Sequence, residues 1–455
     1  MLDGAIIKVL IAGGGVAGVE GMLALRHMLG ARVEIEMLAS KPDFVYRPLA
    51  VAEPFGLGDP YRLRLDEVAE DRRARFRLGS LASIDAGARL ALTDTGEEIG
   101  YDALLIAVGA RPVGDMPGAL VYGGLEANQE YRDLLDAIEA GEVGRVVYAV
   151  RPLVRWALPL YELALLTAHH ASSRGVSSLE LTLVTPEARP LEMFGPRASD
   201  SIERLLADAE IEVRTTSAPS AVEAGELALA SGARLAADRV VTLPRLEVPP
   251  LPGVPQGPDG FIGTDLQMRV EGLSRVYAAG DATWFPAKQG GIAAQQADVA
   301  ATAIVSLADP SRPPAAFRPV LRGALLTGAA PRYLRAEVGD RARSSASGAS
   351  PLWWPPSKIA ARYLAPYLAH RGEIDEPPPL DDVPPLHGED ELVSAADHQE
   401  TLELSLAMAE ADARWHDYEG ALRWLNLAEQ LNLTLPPSHV ALRERCEQEL
   451  RGQRT

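Results

Sequence analysis

The stretch Ile6-Ile-Lys-Val-Leu-Ile-Ala-Gly-Gly-Gly-Val-Ala-Gly18 decides the fold of this chain, because an apolar run leads directly into spaced glycines. The run predicts a buried strand, the glycines a turn, and residues 16–29 a helix, so a βαβ unit opens the protein. In the pattern G-x-G-x-x-G, Gly13 permits the tight turn, Gly15 lets a pyrophosphate approach the backbone, and Gly18 allows close packing of helix on strand. The helix N-terminus attracts phosphate charge, so the sequence predicts a dinucleotide site.

A carboxylate about 20 residues after the glycines accepts a hydrogen bond from the ribose in such sites. Glu36 follows Gly18 at close to this spacing, and we assign the ribose contact to it. The predicted strand continues through Met37 and Leu38, which would instead bring Ala39 to the carboxylate position. The sequence leaves both alternatives open.

The composition limits the classes of function. A chain of 455 residues is too long for one hydrophobic core and predicts two or three domains. The formal net charge of −19 disfavours nucleic acid as a partner. Cys446 is the only cysteine, which excludes an intrachain disulfide, a cysteine-ligated iron–sulfur cluster and a redox-active cysteine pair. We assign no metal site, and any redox chemistry falls to a bound cofactor.

Two later segments also read as buried strands that end on glycine. They are Tyr101-Asp-Ala-Leu-Leu-Ile-Ala-Val-Gly-Ala-Arg-Pro112 and Arg275-Val-Tyr-Ala-Ala-Gly-Asp-Ala282. A carboxylate at a strand end, here Asp281, can fix a sugar-like hydroxyl by a charge-assisted hydrogen bond.

With these motifs in this order, the chain resembles the FAD-dependent pyridine nucleotide–disulfide oxidoreductase superfamily. It is most similar to the branch that holds type II NADH dehydrogenases and sulfide:quinone oxidoreductases. The resemblance implies non-covalently bound FAD, assigns Gly109 and Gly280 to the cofactor site, and implies that Asp281 accepts a hydrogen bond from the ribityl chain. Val108 stands where the family usually has threonine.

The segment after Asp281 carries the flavin side of the predicted site. In the resembled branch it opens a helix that points at the flavin pyrimidine edge, and its glutamine-rich start lines the quinone pocket. Lys288 and Gln289 are therefore assigned as catalytic residues, because a cation and a helix N-terminus favour negative charge on a reduced flavin. Pro48 is assigned to the cofactor, because the resemblance implies that its loop packs beside the isoalloxazine.

The second strand–loop–helix, between Gly144 and Gly175, departs from the sequence pattern of the family. No glycine stands between Gly144 and Gly175, so a pyrophosphate cannot approach the backbone closely, and conventional NAD(P)H binding is not expected. The loop resembles that of sulfide:quinone oxidoreductases, with Trp156 in place of a catalytic cysteine, so neither disulfide reduction nor sulfide oxidation by cysteine is expected. Glu162 matches a family glutamate and is assigned as a third catalytic residue; the alternative is a solvated carboxylate at a helix start.

The predicted fold class is α/β, with two Rossmann-like (FAD/NAD(P)-binding) domains, the FAD domain discontinuous, and a C-terminal α-helical tail. The predicted segments are residues 1–115 and 253–335 for the FAD domain, 116–252 for a degenerate NAD(P)-binding-like domain, 336–371 for an amphipathic extension, 372–397 for an acidic proline-rich linker, and 398–455 for a helical tail. The tail resembles a single tetratricopeptide hairpin, and we interpret it as a docked helical cap; a protein-recruiting role is the alternative.

The chain is expected to be cytoplasmic, because no apolar run approaches the ~18 residues of a spanning helix. Residues 352–368 combine tryptophans with an apolar helical face, which suits either packing against the flavin domain or peripheral contact with the inner face of the membrane. We favour packing, because the net charge is acidic.

The predicted function is an FAD-dependent oxidoreductase that passes two electrons from an unidentified donor to a quinone-like acceptor. One alternative is an NAD(P)H dehydrogenase that binds its nucleotide atypically. A second is a non-catalytic flavin-binding scaffold or redox sensor.

Overall fold

A computed structural model of the protein describes residues 6–114, 116–338, 344–372 and 435–452, with residues 406, 409–410, 413, 418, 421–422 and 424–426 of the tail. Strands and helices are numbered along the chain. The linker predicted at residues 372–397 lies outside the described residues beyond residue 372.

The first sheet is parallel and has the strand order β20-β9-β1-β2-β5. Its strands are β1 (Ile7–Ala12), β2 (Val33–Ala39), β5 (Arg75–Leu78), β9 (Ala103–Ile106) and β20 (Val276–Ala278). Helices α1 (Val16–Leu29) and α6 (Gly290–Ala308) follow β1 and β20. Strand β20 comes from a segment far along the chain, so this domain is discontinuous, as predicted.

Alternation along β1 divides the core of the first domain between the two faces of the sheet. Ile7, Val9 and Ile11 belong to the apolar cluster that includes α1 and α6. Leu10 and Ala12 belong to a second cluster on the opposite face. Side chains of adjacent residues in a strand point to opposite faces, and burial of both faces explains why β1 is apolar except at the partly exposed Lys8.

The second sheet is also parallel, in the order β11-β18-β12-β13-β14. Its strands are β11 (Leu120–Val121), β12 (Arg145–Ala149), β13 (Glu180–Val184), β14 (Ile211–Arg214) and β18 (Arg239–Thr242). Its helices are α3 (Asn128–Glu139), α4 (Leu158–Ser173) and α5 (Pro196–Asp208). Two Rossmann-like sheets confirm the predicted α/β class.

Smaller antiparallel sheets complete the two domains. Two of them have two strands: β3 (Asp43–Val45) with β4 (Arg62–Arg64), and β10 (Arg111–Val113) with β19 (Arg245–Glu247). Two others have three strands: β6 (Leu81–Asp85), β7 (Leu90–Thr93) and β8 (Glu98–Gly100) form one, and β15 (Pro219–Glu223), β16 (Glu226–Leu229) and β17 (Arg234–Ala236) form the other. A further three-stranded sheet consists of β21 (Val320–Leu325), β22 (Arg332–Glu337) and β23 (Ala346–Gly348). The remaining helices are α2 (Leu65–Asp71), α7 (Leu364–His370) and α8 (Pro437–Gly452). The boundary predicted after residue 335 falls within β22, and the other domain boundaries stay predictions.

Residues 351–372, here called the C-terminal strap, pack on the first domain. Most of the tryptophan and apolar-face side chains of residues 352–368 are buried, namely Trp353, Ile359, Leu364, Tyr367 and Leu368, whereas Trp354 and Tyr363 are partly exposed. This burial favours the predicted packing on the first domain, and the alternative of peripheral membrane contact stays a prediction. Among the described residues, no helix has the length and apolar character needed to cross a bilayer.

Trp424 of the tail packs against the first domain. This side chain is 3% exposed, and its ring centroid lies 6.0 Å from that of Phe285. Phe285 lies three residues before Lys288. The interpretation of the tail as a docked helical cap stays a prediction, and this contact favours it.

Glu20 of α1 attaches the strap to the first domain. Its carboxylate is fully buried and accepts hydrogen bonds from the backbone N–H of Tyr363 at 2.9 Å and from that of Leu364 at 2.5 Å. Asp298 of α6 shares a hydrogen bond with it, and Arg362 supplies the nearby positive charge. Burial raises the pKa of Glu20 from 4.5 to about 7, although these hydrogen bonds oppose the shift.

Replacing Glu20 with glutamine is expected to make the free energy of unfolding depend less on pH between about pH 4.5 and 7. Folding raises the pKa of this carboxyl. Its contribution to the free energy of unfolding is fully present below the pKa it has in the unfolded chain, and is lost as the pH rises through the pKa it has in the folded protein. Glutamine cannot ionise, so this loss is absent from the variant. Thermal unfolding midpoints across this range measure it. Glu130→Gln, an exposed change of the same kind, serves as the control; parallel profiles for wild type and Glu20→Gln would contradict the prediction.

Candidate flavin site

The glycine turn after β1 has the geometry that its spacing predicts. Gly13 has φ +128°, and a Cβ there would lie 2.0 Å from the carbonyl oxygen of Ala107. A Cβ at Gly18 would lie 1.9 Å from the carbonyl oxygen of Gly13. Gly15 is the exposed N-cap of α1, with no atom within 4 Å of a Cβ position. Two glycines therefore close the turn, and the third leaves the N-terminus of α1 open to a phosphate.

The turns after β9 and β20 meet the same edge of the sheet. Gly109 has φ +70°, with open space around it. Gly280 has φ +84°, and a Cβ there would lie 3.3 Å from the Cβ of Ala17 and 3.6 Å from that of Ala293. Gly280 is therefore packed between α1 and α6, which sets Asp281 beside the N-termini of both helices.

Asp281 and Lys288 form a pair of opposite charges in this pocket. Burial raises the pKa of Asp281, although the charges of Lys288 and Arg47 oppose the shift. Burial lowers the pKa of Lys288 to about 7, although Asp281 opposes this. The Lys288 ammonium donates to the carbonyl oxygen of Thr283 and lies 3.9 Å from the centroid of the Phe261 ring. The Lys288 ammonium is therefore buried against protein groups and does not point to solvent.

Gln289 offers a donor at the start of α6. Its Oε1 accepts a hydrogen bond from the N–H of Gly291 at 2.8 Å, so the side chain caps the helix. Its Nε2 is buried, and no described residue accepts a hydrogen bond from it. A buried amide without an acceptor costs about 1–3 kcal/mol, so this atom fits a carbonyl-bearing ligand.

Gln296 holds the turn that carries Asp281, a role that the sequence did not reveal. Its Oε1 accepts from the N–H of Gly280 at 2.8 Å, and its Nε2 donates to Thr283 Oγ1 at 3.1 Å. Gln295 instead bonds both backbone groups of Val320 at 2.9 Å. Both side chains of this glutamine-rich segment are therefore engaged within the protein.

Glu36 lies within β2, opposite Leu10, and the strand continues to Ala39 as the apolar pattern suggested. Its carboxylate is buried and accepts a hydrogen bond from Arg77 Nε at 2.7 Å. This ion pair accounts for a buried carboxylate at position 36. The ribose contact of Glu36 stays a prediction.

Pro48 lies in a short helical turn, Arg47–Leu49, that begins beside the strap. The hydroxyl of Tyr46 accepts a hydrogen bond from the N–H of Ile359 at 2.9 Å. Burial raises the pKa of Tyr46 to about 12, so it stays a neutral phenol. The charge of Arg47 acts on Asp281, so the loop borders the same pocket.

Glu162 forms a buried ion pair with Lys358 of the strap, a partner that the sequence did not reveal. The Glu162 side chain is 1% exposed, and Lys358 Nζ lies 2.5 Å from its Oε1. The same oxygen accepts from the N–H of Leu326 at 2.9 Å. Burial raises the pKa of Glu162 although Lys358 opposes the shift. The alternative of a solvated carboxylate is excluded.

The second domain offers no open glycine turn to a dinucleotide. Trp156, in the loop between β12 and α4, packs edge-on against Phe194, with ring centroids 5.7 Å apart. After β13, where a ribose-binding carboxylate is expected, Glu187 accepts from Tyr161 OH at 2.6 Å and from Thr185 Oγ1 at 2.8 Å. This carboxylate is therefore already hydrogen-bonded within the protein.

Two Rossmann-like domains, with glycine turns and Asp281 at one edge of the first sheet, have the architecture expected of a two-domain flavoprotein oxidoreductase. The chain belongs to the pyridine nucleotide-disulphide oxidoreductase family, whose sequence profile matches residues 7–146 and 161–304. This membership confirms the resemblance drawn from the motifs and identifies the chain as a flavoprotein oxidoreductase.

Similar proteins include an NADH dehydrogenase-like protein of Mycobacterium tuberculosis, 26% identical over 292 residues, which are 60% of this chain and 72% of that protein. A sulfide-quinone reductase of Aquifex aeolicus is 26% identical over 214 residues, 44% of this chain and 47% of the reductase. The X-ray structure of the Aquifex aeolicus sulfide:quinone oxidoreductase superposes with a TM-score of 0.68 at 20% identity, covering 75% of this chain and 87% of that one. The superposition supports the fold alone.

Proposed function

We propose that the protein binds FAD non-covalently and uses it to pass two electrons from a donor to a quinone-like acceptor. The open N-terminus of α1 and the donor-rich start of α6 fit the two ends of this cofactor. The residues proposed to hold it are Gly13, Gly15, Gly18, Glu36, Pro48, Gly109, Gly280 and Asp281, with Lys288 and Gln289 at the flavin pyrimidine edge. Bound FAD supplies the two-electron chemistry.

Lys288 and the N-terminus of α6 supply positive charge to this edge. Lys288 is 5% exposed, so its interactions are weakly screened by solvent. The charge of Asp281 opposes the lowering of the pKa of Lys288 by burial, which favours the protonated form of Lys288. The pair therefore suits an anion that forms when electrons arrive.

The buried Glu162–Lys358 pair is the observation that carries the quinone proposal. Reduction of a quinone to a quinol consumes two electrons and two protons. A carboxyl whose pKa is raised by burial holds a proton closer to neutral pH than an exposed one, and Lys358 Nζ lies 2.5 Å from Glu162 Oε1. We propose that Glu162 delivers protons to the acceptor and that Lys358 orients it. The similarity to a sulfide-quinone reductase supports a quinone as the acceptor.

The reoxidation half-reaction tests the proposal without knowledge of the donor. The flavin is photoreduced without oxygen and mixed with a water-soluble quinone in a stopped-flow instrument. Fast, saturable return of flavin absorbance is expected. A reduced flavin that persists in excess quinone would instead support the non-catalytic scaffold.

The second candidate function retains NAD(P)H as the donor, and the NADH dehydrogenase-like relative favours it. We expect NADH and NADPH to reduce the flavin slowly and without saturation, because the loop after β12 lacks glycine and Glu187 is already hydrogen-bonded. We also expect sulfide to give no charge-transfer band, because Trp156 stands in place of the cysteine. Anaerobic stopped-flow mixing measures both, and fast saturable reduction by NADH would establish the second candidate.

A further inference from the structure

Buried hydrogen bonds hold the backbone of the strap on both sides of Lys358. Before the lysine, the carbonyl oxygen of Ser357 accepts a hydrogen bond from Trp353 Nε1 at 3.1 Å. After it, the carbonyl oxygen of Ile359 accepts from Ser357 Oγ at 2.7 Å, and the N–H of Ile359 donates to Tyr46 OH at 2.9 Å. The backbone position of Lys358 is therefore fixed by its neighbours in the strap and by Tyr46 of the first domain.

Tyr46 is itself held firmly by the first domain. Its backbone N–H donates to the carbonyl oxygen of Tyr61 at 3.1 Å. The two rings are stacked, with centroids 4.6 Å apart and planes inclined by 17°. The Tyr46 side chain is 1% exposed. Its hydroxyl therefore offers the strap a fixed acceptor.

The same tyrosine adjoins the proposed flavin site. It directly precedes the turn Arg47–Leu49, which contains Pro48. Its hydrogen-bond partner Ile359 directly follows Lys358, whose side chain forms the ion pair with Glu162 of the second domain. Tyr46 therefore links the loop assigned to the cofactor with the pair assigned to proton delivery.

The ionisation of Glu162 depends on the position of Lys358. The Lys358 ammonium opposes the rise in pKa that burial causes in Glu162. Solvent screens this interaction little, because the side chains of Lys358 and Glu162 are only 10% and 1% exposed. The charge of Glu162 also acts on Tyr122, but burial raises the pKa of that phenol well above its usual value, so it stays neutral. A displacement of Lys358 therefore raises the pKa of Glu162 further.

We propose that Tyr46 is a positioning residue, which through Ile359 holds Lys358 against Glu162 in the arrangement that delivers protons to the acceptor. The inference rests on the proposed function of that ion pair and adds a residue that the pair needs. Without the phenol hydroxyl, the buried N–H of Ile359 loses its acceptor, and the strap is expected to shift at Lys358.

Tyr46→Phe tests the inference on the FAD-loaded protein, because it removes the hydroxyl and keeps the ring that stacks on Tyr61. The carboxyl stretching band of Glu162, identified in infrared difference spectra by its loss in Glu162→Gln, is titrated against pH. Its midpoint is expected to rise by about one pH unit, because an opposite charge moves away. Quinone reoxidation of the photoreduced flavin should slow about tenfold, with FAD content unchanged.

Tyr148→Phe is the matched control. It removes an equally buried hydroxyl that bonds Thr167 within the second domain, and it should change neither the midpoint nor the rate. Ser357→Ala removes another of the hydrogen bonds that hold the strap and should raise the midpoint as Tyr46→Phe does.

The inference is overturned if Glu162 titrates in Tyr46→Phe as it does in the wild type, or if Tyr148→Phe shifts the midpoint as much. If Tyr46→Phe fails to fold or loses FAD, Ser357→Ala decides, and an unchanged midpoint in that variant also overturns the inference. A wild-type flavin that quinone does not reoxidise would reject the proposed function. The infrared titration would still show whether Tyr46 positions the ion pair.

Discussion

Replacing Asp281 with alanine is expected to leave most of the purified protein without FAD. The change removes a charged acceptor for the ribityl chain, worth about 1.5–3 kcal/mol, which corresponds to roughly 10- to 150-fold weaker binding. It also leaves Lys288 buried without its acidic neighbour. FAD released by heating, measured per chain after gel filtration, should fall from close to one to a small fraction.

Asp281→Asn provides the matched control, because asparagine keeps the shape and one acceptor oxygen. We expect it to retain more FAD than the alanine variant and less than the wild type. Equal FAD content in wild type and Asp281→Ala would show that the motif has been misplaced. Circular dichroism separates loss of cofactor from loss of fold.

Replacing Glu162 with glutamine is expected to slow quinone reduction by about 100-fold or more, which is the usual contribution of a positioned acid or base. Glutamine keeps the hydrogen bond from Leu326 but cannot carry a proton. The stopped-flow reoxidation rate of the photoreduced flavin measures the effect. The pH profile of the rate should lose the ionisation that the wild type shows.

FAD content and the flavin spectrum should be unchanged in Glu162→Gln, because Glu162 is not assigned to the cofactor. Lys358→Met removes the other member of the Glu162–Lys358 ion pair and should also slow reoxidation of the flavin. If both variants reoxidise at the wild-type rate while retaining FAD, the pair is structural, and its role in quinone reduction is rejected.

Local patterns in the sequence predicted the fold and the cofactor turns because their causes are local. Gly13 and Gly18 are required by backbone contacts within the motif or with the adjacent strand. The apolar run of β1 needed only the rule that a central parallel strand is buried on both faces. The cysteine count likewise restricted the chemistry without any structure.

Contacts between distant segments were not predictable in this way. Lys358 reaches Glu162 from the C-terminal strap, and Arg77 reaches Glu36 from a neighbouring strand. Gln296 lies at a helical position whose direction is set by the packing of α6. A single sequence gives the residue type at each position but not which distant groups meet there.

The position of β20 in the first sheet has a consequence for biosynthesis. Val276 pairs with Leu104, so the sheet cannot close until the intervening domain has been synthesised. At 5–20 residues per second, ribosomes need roughly 10–35 s for these ~170 residues. During that interval the apolar edge of β9 is without its neighbouring strand β20. We expect early folding of the inserted domain, or a chaperone, to protect this edge from aggregation. Flavin capture is therefore a late event in the life of each newly made molecule.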